Sequence, residues 1–89
     1  MCVYVEQIIE RIENESYMST KEKCVFKAVL SNEVFCDELT CRVSYQQGNV
    51  IEKYVKKTAK KMHLKLNMRE SFKIKEELFY YLVLKRGGA

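Results

Sequence analysis

Eighty-nine residues, 47% hydrophobic and 31% charged, are enough for one modest core and exclude both a two-domain chain and a disordered tail. Sixteen lysines and arginines against twelve acids give a net charge of +4. Residues 1–40 hold eight acids (Glu6, Glu10, Glu13, Glu15, Glu22, Glu33, Asp37, Glu38) and four bases, whereas residues 52–75 hold nine bases (Lys53, Lys56, Lys57, Lys60, Lys61, Lys65, Arg69, Lys73, Lys75) and two acids, so the positive field belongs to the second half. Such a patch attracts phosphate or an anionic surface, although a lysine-rich helix face is also an ordinary way of meeting solvent.

The first predicted element is a helix over 4–14, with Val5, Ile8, Ile9 and Ile12 on one stripe and Glu6, Glu10, Arg11 and Glu13 opposite. The pattern breaks from Asn14 to Ser19. Ser19-Thr20-Lys21-Glu22 then has the form of a capping box, in which the hydroxyl and the carboxylate each satisfy an orphan amide, and it opens a second helix over 20–33. That helix is apolar around more than one stripe, so either it is the central core helix or its second side meets a partner chain. Cys24, Val25, Ala28, Val29 and Asn32 are the expected interface residues if a partner is met, with a homodimer or pairing with a second repeat the expected assembly.

Leu39, Cys41, Val43 and Tyr45 alternate with Thr40, Arg42, Ser44 and Gln46, which predicts a strand with one apolar and one polar face. Gln46-Gln47-Gly48-Asn49 reads as a turn, and Val50, Ile51, Tyr54, Val55, Ala59 and Met62 recur at helical spacing to about His63. From Leu64 the period returns to two through Ile74, predicting a long strand. Lys75-Glu76-Glu77 would turn it, Phe79 to Lys85 would pair back as a hairpin, and residues 86–89 would form a tail. The expected fold is a single α+β domain over 1–89, an antiparallel sheet with helices on one face.

The other face of that sheet would be open and basic, showing Thr40, Arg42, Ser44, Gln46, Lys65, Asn67, Arg69, Ser71 and Lys73 with no carboxylate among them. Long cations neutralise phosphate and side-chain amides pair with base edges, so duplex DNA is the expected partner, with Arg42, Ser44, Gln46, Lys65, Asn67, Arg69 and Lys73 as the candidate contacts. The face carries no aromatic residue on which single-stranded bases could stack.

Little here suggests catalysis. His63 is the only imidazole and sits at a predicted helix end, and there is no glycine-rich phosphate loop and no serine or threonine with a visible base partner. Cys2, Cys24, Cys36 and Cys41 lack paired zinc-ligand spacing and follow no secretory signal, so they read as thiols in a reducing compartment. No apolar run approaches the length of a membrane span. The expectation is a cytoplasmic, nucleoid-associated protein without enzymatic activity, metal, cofactor or small-molecule substrate.

The run KCVFKAVLSNEVF from Lys23 to Phe35, the segment DELTCRVSYQQ, the segment NVIEKYVKKTAKK and the closing FYYLVLKRGGA together resemble the N-terminal domain of WhiA-type bacterial regulators of sporulation and cell division, in element order and apolar pattern. That domain is similar to a LAGLIDADG homing endonuclease turned DNA-binding module. The resemblance implies a half-domain that pairs with a second repeat or a second copy through helix 20–33, with Ala28 allowing close approach. It also implies that Asn32 stands where the nucleases carry a metal-binding carboxylate, removing the charge that would hold the ion. A register shifted by one residue would make Glu33 that acid and a magnesium-dependent nuclease the implied activity. The remaining alternative is a protein-interaction adaptor with no affinity for nucleic acid.

Overall fold

The computed structural model describes residues 3–84; Cys2 and the expected 86–89 tail lie outside the described residues, as do the side chains of Val3, Tyr4, Ser44 and Leu84. Among the described residues every regular element is a helix: α1 (Val3–Glu13), α2 (Thr20–Leu30), α3 (Glu33–Thr40), α4 (Ser44–Lys61) and α5 (Met68–Phe79), the last continuing into a wider π-helical turn (Tyr80–Leu84).

α1 follows the predicted stripe, burying Val5, Ile8 and Ile12. α2 begins at the predicted capping box: Ser19 Oγ accepts from the Glu22 amide at 3.2 Å, and Glu22 Oε1 accepts from the Ser19 amide at 2.6 Å. It is the central helix, packed against α1, α3, α4 and α5. Val25, Phe26, Val29 and Leu30 are all withdrawn from solvent, each adding roughly 1.5–3 kcal/mol of burial free energy. Its two-sided apolarity is therefore used within the chain, as the central-helix alternative expects.

α2 stops at Leu30, three residues before the predicted end, because Asn32 starts a new helix. Its Oδ1 accepts from the amides of Val34 at 2.9 Å and Phe35 at 3.3 Å, an N-cap for α3. α3 buries Phe35 and Leu39, one turn apart, and the Phe35 ring meets Tyr54 of α4 at 5.3 Å between centroids. α4 buries Val50, Ile51, Tyr54, Val55 and Ala59 and ends in a Schellman motif, with His63 at φ 58°. The Leu64 amide donates to the Ala59 carbonyl at 2.9 Å and the His63 amide to the Lys60 carbonyl at 3.1 Å. α5 opens on a second capping box, Asn67 with Glu70, at 2.8 and 2.9 Å.

The expected α+β architecture is thus overturned. The alternation from Leu39 to Tyr45 spans the end of α3, the turn at residues 41–43 and the start of α4, and it leaves Val43 and Tyr45 exposed rather than in a core. Gln46 to Asn49 is helix and not a turn. The predicted strand over 64–74 is a four-residue loop followed by α5, and along α5 and its π-helical continuation Ile74, Leu78, Tyr81 and Leu82 are buried at helical spacing. Lys75 to Glu77 lies inside α5, and the segment from Phe79 to Leu84 carries the helix on where a hairpin strand was expected. The described residues form no sheet, and so neither the LAGLIDADG-like half-domain nor its open basic face.

Candidate nucleic-acid interface

The turn of residues 41–43 sets α4 against α3, and several contacts hold it. Gln47 of α4 donates from Nε2 to the carbonyls of Leu39 at 3.0 Å and Arg42 at 3.3 Å, tying the end of α3 and the turn to α4. Lys53 Nζ reaches Glu38 Oε1 of α3 at 3.3 Å. With α2 packed behind both, the two helices form a pair joined by a short, hydrogen-bonded turn.

The solvent side of α4 follows from its 3.6-residue period. Tyr45, Asn49, Lys53, Lys56, Lys57 and Lys60 are exposed and Gln46 is half-buried, and together they occupy one arc of about 120° opposite Ile51 and Val55. The one acid in α4, Glu52, lies beside this arc and pairs with Lys56 at 3.5 Å and with Lys75 at 3.8 Å. Lys53 and Lys57 also stand near the Tyr54 ring, at 5.3 and 5.6 Å from its centroid. Val43, at the N-cap, gives the first turn no side-chain acceptor, unlike Ser19, Asn32 and Asn67 at the other caps.

On the α3 side of the arc a shallow depression of about 260 Å³ brings Arg42 and Gln46 together with Asn49 and Lys53. On the α5 side a larger groove of about 730 Å³ runs between α4 and α5, with Ala59, Leu64, Leu66 and Phe72 among its apolar lining and Lys56, Lys60, Lys65 and Lys75 among its cations. The loop beside it is held by Lys21, whose Nζ donates to the Lys65 carbonyl at 2.8 Å and pairs with Glu70 at 3.0 Å. The Asn67 amide, and after it the Lys21 ammonium, keep the Glu70 carboxyl below its usual range.

The seven residues expected on one DNA-binding face are therefore divided. Arg42 and Gln46 stay together at the head of α4; Ser44 begins that helix, with its side chain outside the described residues. Lys65 and Asn67 line the larger groove, Asn67 serving as the N-cap of α5, and Arg69 is exposed on the first turn of α5. Lys73 is engaged internally, with its Nζ at 3.5 Å from the buried Glu22 carboxylate and at 3.0 Å from the Tyr17 carbonyl. Asn49, Lys53, Lys56, Lys57 and Lys60 join Arg42 instead, and the signal for them was the helical period of the lysines.

Of the expected interface residues, Val25 and Val29 are in the core, Cys24 and Ala28 are half-buried, and Asn32 caps α3. Among the described residues Cys24, Cys36 and Cys41 form no disulfide, and no three histidine, cysteine or acidic side chains gather as a metal site. No helix among them is long and apolar enough to cross a membrane. No family model, curated protein or solved structure matches the chain.

Proposed function

We propose that the chain is a duplex-DNA-binding domain of a transcription regulator, with α3, the turn of residues 41–43 and α4 acting as a helix-turn-helix and α4 entering the major groove. The observation that carries this reading is the solvent arc of α4, which pairs Gln46 and Asn49 near the helix start with Lys53, Lys56, Lys57 and Lys60 along the same side and contains no acid. In that docking mode the first turns of the second helix meet base edges and later cations meet phosphates. Gln46 and Asn49 have the bidentate amides that suit adenine, and the exposed Val43 and Tyr45 offer apolar surface to a thymine methyl. The first-turn amides of α4, without a side-chain cap, suit a backbone phosphate. This reading replaces the sheet face as the route to DNA and places the protein on the nucleoid, in the cytoplasm.

The test is fluorescence anisotropy with mixed-sequence duplex DNA across a salt series. Arg42, Lys53, Lys56, Lys57 and Lys60 give up to five phosphate contacts, so log K should fall against log salt with a slope of up to about −4.5. Lys57→Ala should reduce that slope by about 1, whereas Asn49→Ala should flatten sequence preference at one position. No binding at low salt would remove DNA as the partner and favour the adaptor reading.

A further inference from the structure

The groove between α4 and α5 adjoins the arc that the DNA reading uses and shares Lys56 and Lys60 with it, but it adds apolar lining from Ala59, Leu64, Leu66, Met68 and Phe72. Met68 is 89% exposed and Phe72 55% exposed, so the start of α5 presents two large apolar side chains to solvent while Leu66 lies half-buried in the groove wall. A helix start gains nothing from bare apolar surface, and contiguous apolar surface rimmed by polar groups marks a contact site. Cations surround it: Lys60 and Lys65 are exposed, and Lys75 is shared with the one acid in the groove lining, Glu52.

That charge pattern selects among occupants. A second copy docking the same groove on itself would bring together two lysine-rimmed surfaces of the same sign, which disfavours that pairing. A small apolar molecule would be expected to be enclosed over most of its surface, whereas Met68 and Phe72 stand out from the groove wall. We infer that the α4–α5 groove is a docking site for a short acidic segment of a partner protein, its bulky apolar side chains seated against Leu66, Met68 and Phe72 and its carboxylates over Lys60 and Lys65. The inference shares Lys60 with the DNA reading and is distinguished from it by Met68 and Lys65, which lie off the α4 arc.

The probe is a fluorescein-labelled synthetic peptide with two leucines and a phenylalanine on one helical face and glutamates on both flanks, titrated with the full chain. Binding should weaken about tenfold in Lys65→Glu and again in Met68→Ser, and the peptide with its apolar anchors changed to alanine should fail to compete. Both residues are exposed, so circular dichroism should show unchanged helicity in the variants. Absence of binding overturns the inference, as does binding that Met68→Ser leaves unchanged. A dimer in sedimentation that Met68→Ser dissolves would assign the groove to a second copy. Loss of DNA affinity in Met68→Ser would assign it to DNA.

Discussion

Lys73→Met separates two roles for one lysine. The sequence pattern places Lys73 among the DNA contacts, whereas the fold places its ammonium beside Glu22, which is 2% exposed. Glu22 Oε1 already accepts the Ser19 amide at 2.6 Å, and Oε2 faces Lys73 at 3.5 Å. Methionine keeps most of the lysine stem's packing and removes its charge. A hydrogen bond to a charged group contributes about 1.5–3 kcal/mol, and severing a fully buried ion pair costs about 3–5 kcal/mol. The long separation and a Lys73 side chain that is about one-third exposed reduce both, leaving about 1.5 kcal/mol with the lost Tyr17 contact included. For a domain of this size that lowers Tm by about 6–12 °C. Urea denaturation of Lys73→Met, Glu22→Gln and the double variant should show coupling of about 1 kcal/mol, since the carboxylate left behind causes much of the loss. DNA affinity should stay near that of the parent. A Lys73→Met protein of parental stability whose salt slope falls by about 1 would refute this assignment and return Lys73 to the DNA interface.

Two further outcomes follow from the helices. Gly48 lies inside α4, where an added Cβ would meet only the Phe79 ring edge at 3.9 Å, an ordinary contact, so Gly48→Ala should stabilise the fold by about 1 kcal/mol in urea melts without changing the exposed arc. The Glu70 carboxyl, held down by the Asn67 backbone amide and by Lys21, should titrate in NMR below its ordinary 4.5, and Lys21→Met, which removes the second of these partners, should move the midpoint part of the way back up. A depressed folded-state pKa means that its contribution to stability is present above about pH 4.5 and is lost as pH falls through the folded value, so acid should loosen the start of α5. An unshifted Glu70 midpoint would argue against the capping box.

The elements legible in the sequence are those whose signals need no partner. The α1 stripe has a strong 3.6-residue period, and Ser19 with Glu22 forms a local device that works whatever packs around it. The same device recurs as Asn67-Met68-Arg69-Glu70, but the alternation of Leu64, Leu66 and Met68 outweighed it. The structure shows why that alternation misled: Leu64 and Leu66 belong to a loop folded into the groove wall, and Met68 and Phe72 face solvent. Alternation over a few residues reports a strand only when the apolar set is buried together. Ile74, Leu78, Tyr81 and Leu82, at helical spacing over a longer span, carried the stronger signal.

Charge and geometry fared differently for a physical reason. The excess of lysine after residue 52 is a sum over residues, so it survives an error in fold, and six of those cations, Lys53, Lys56, Lys57, Lys60, Lys65 and Lys75, lie along the α4 arc or the adjoining groove. The face a residue occupies depends on the period of its backbone, and changing that period from two to 3.6 sent Lys73 to Glu22 while bringing Asn49 beside Arg42. Val43 and Tyr45 are where the two descriptions disagree most sharply, since a strand would bury them and the helix leaves Tyr45 80% exposed. A fold under selection for stability alone would place smaller or polar residues there. Departures from local consistency concentrate where a surface must meet something else, and these two stand at the head of α4, beside the amides proposed to read DNA.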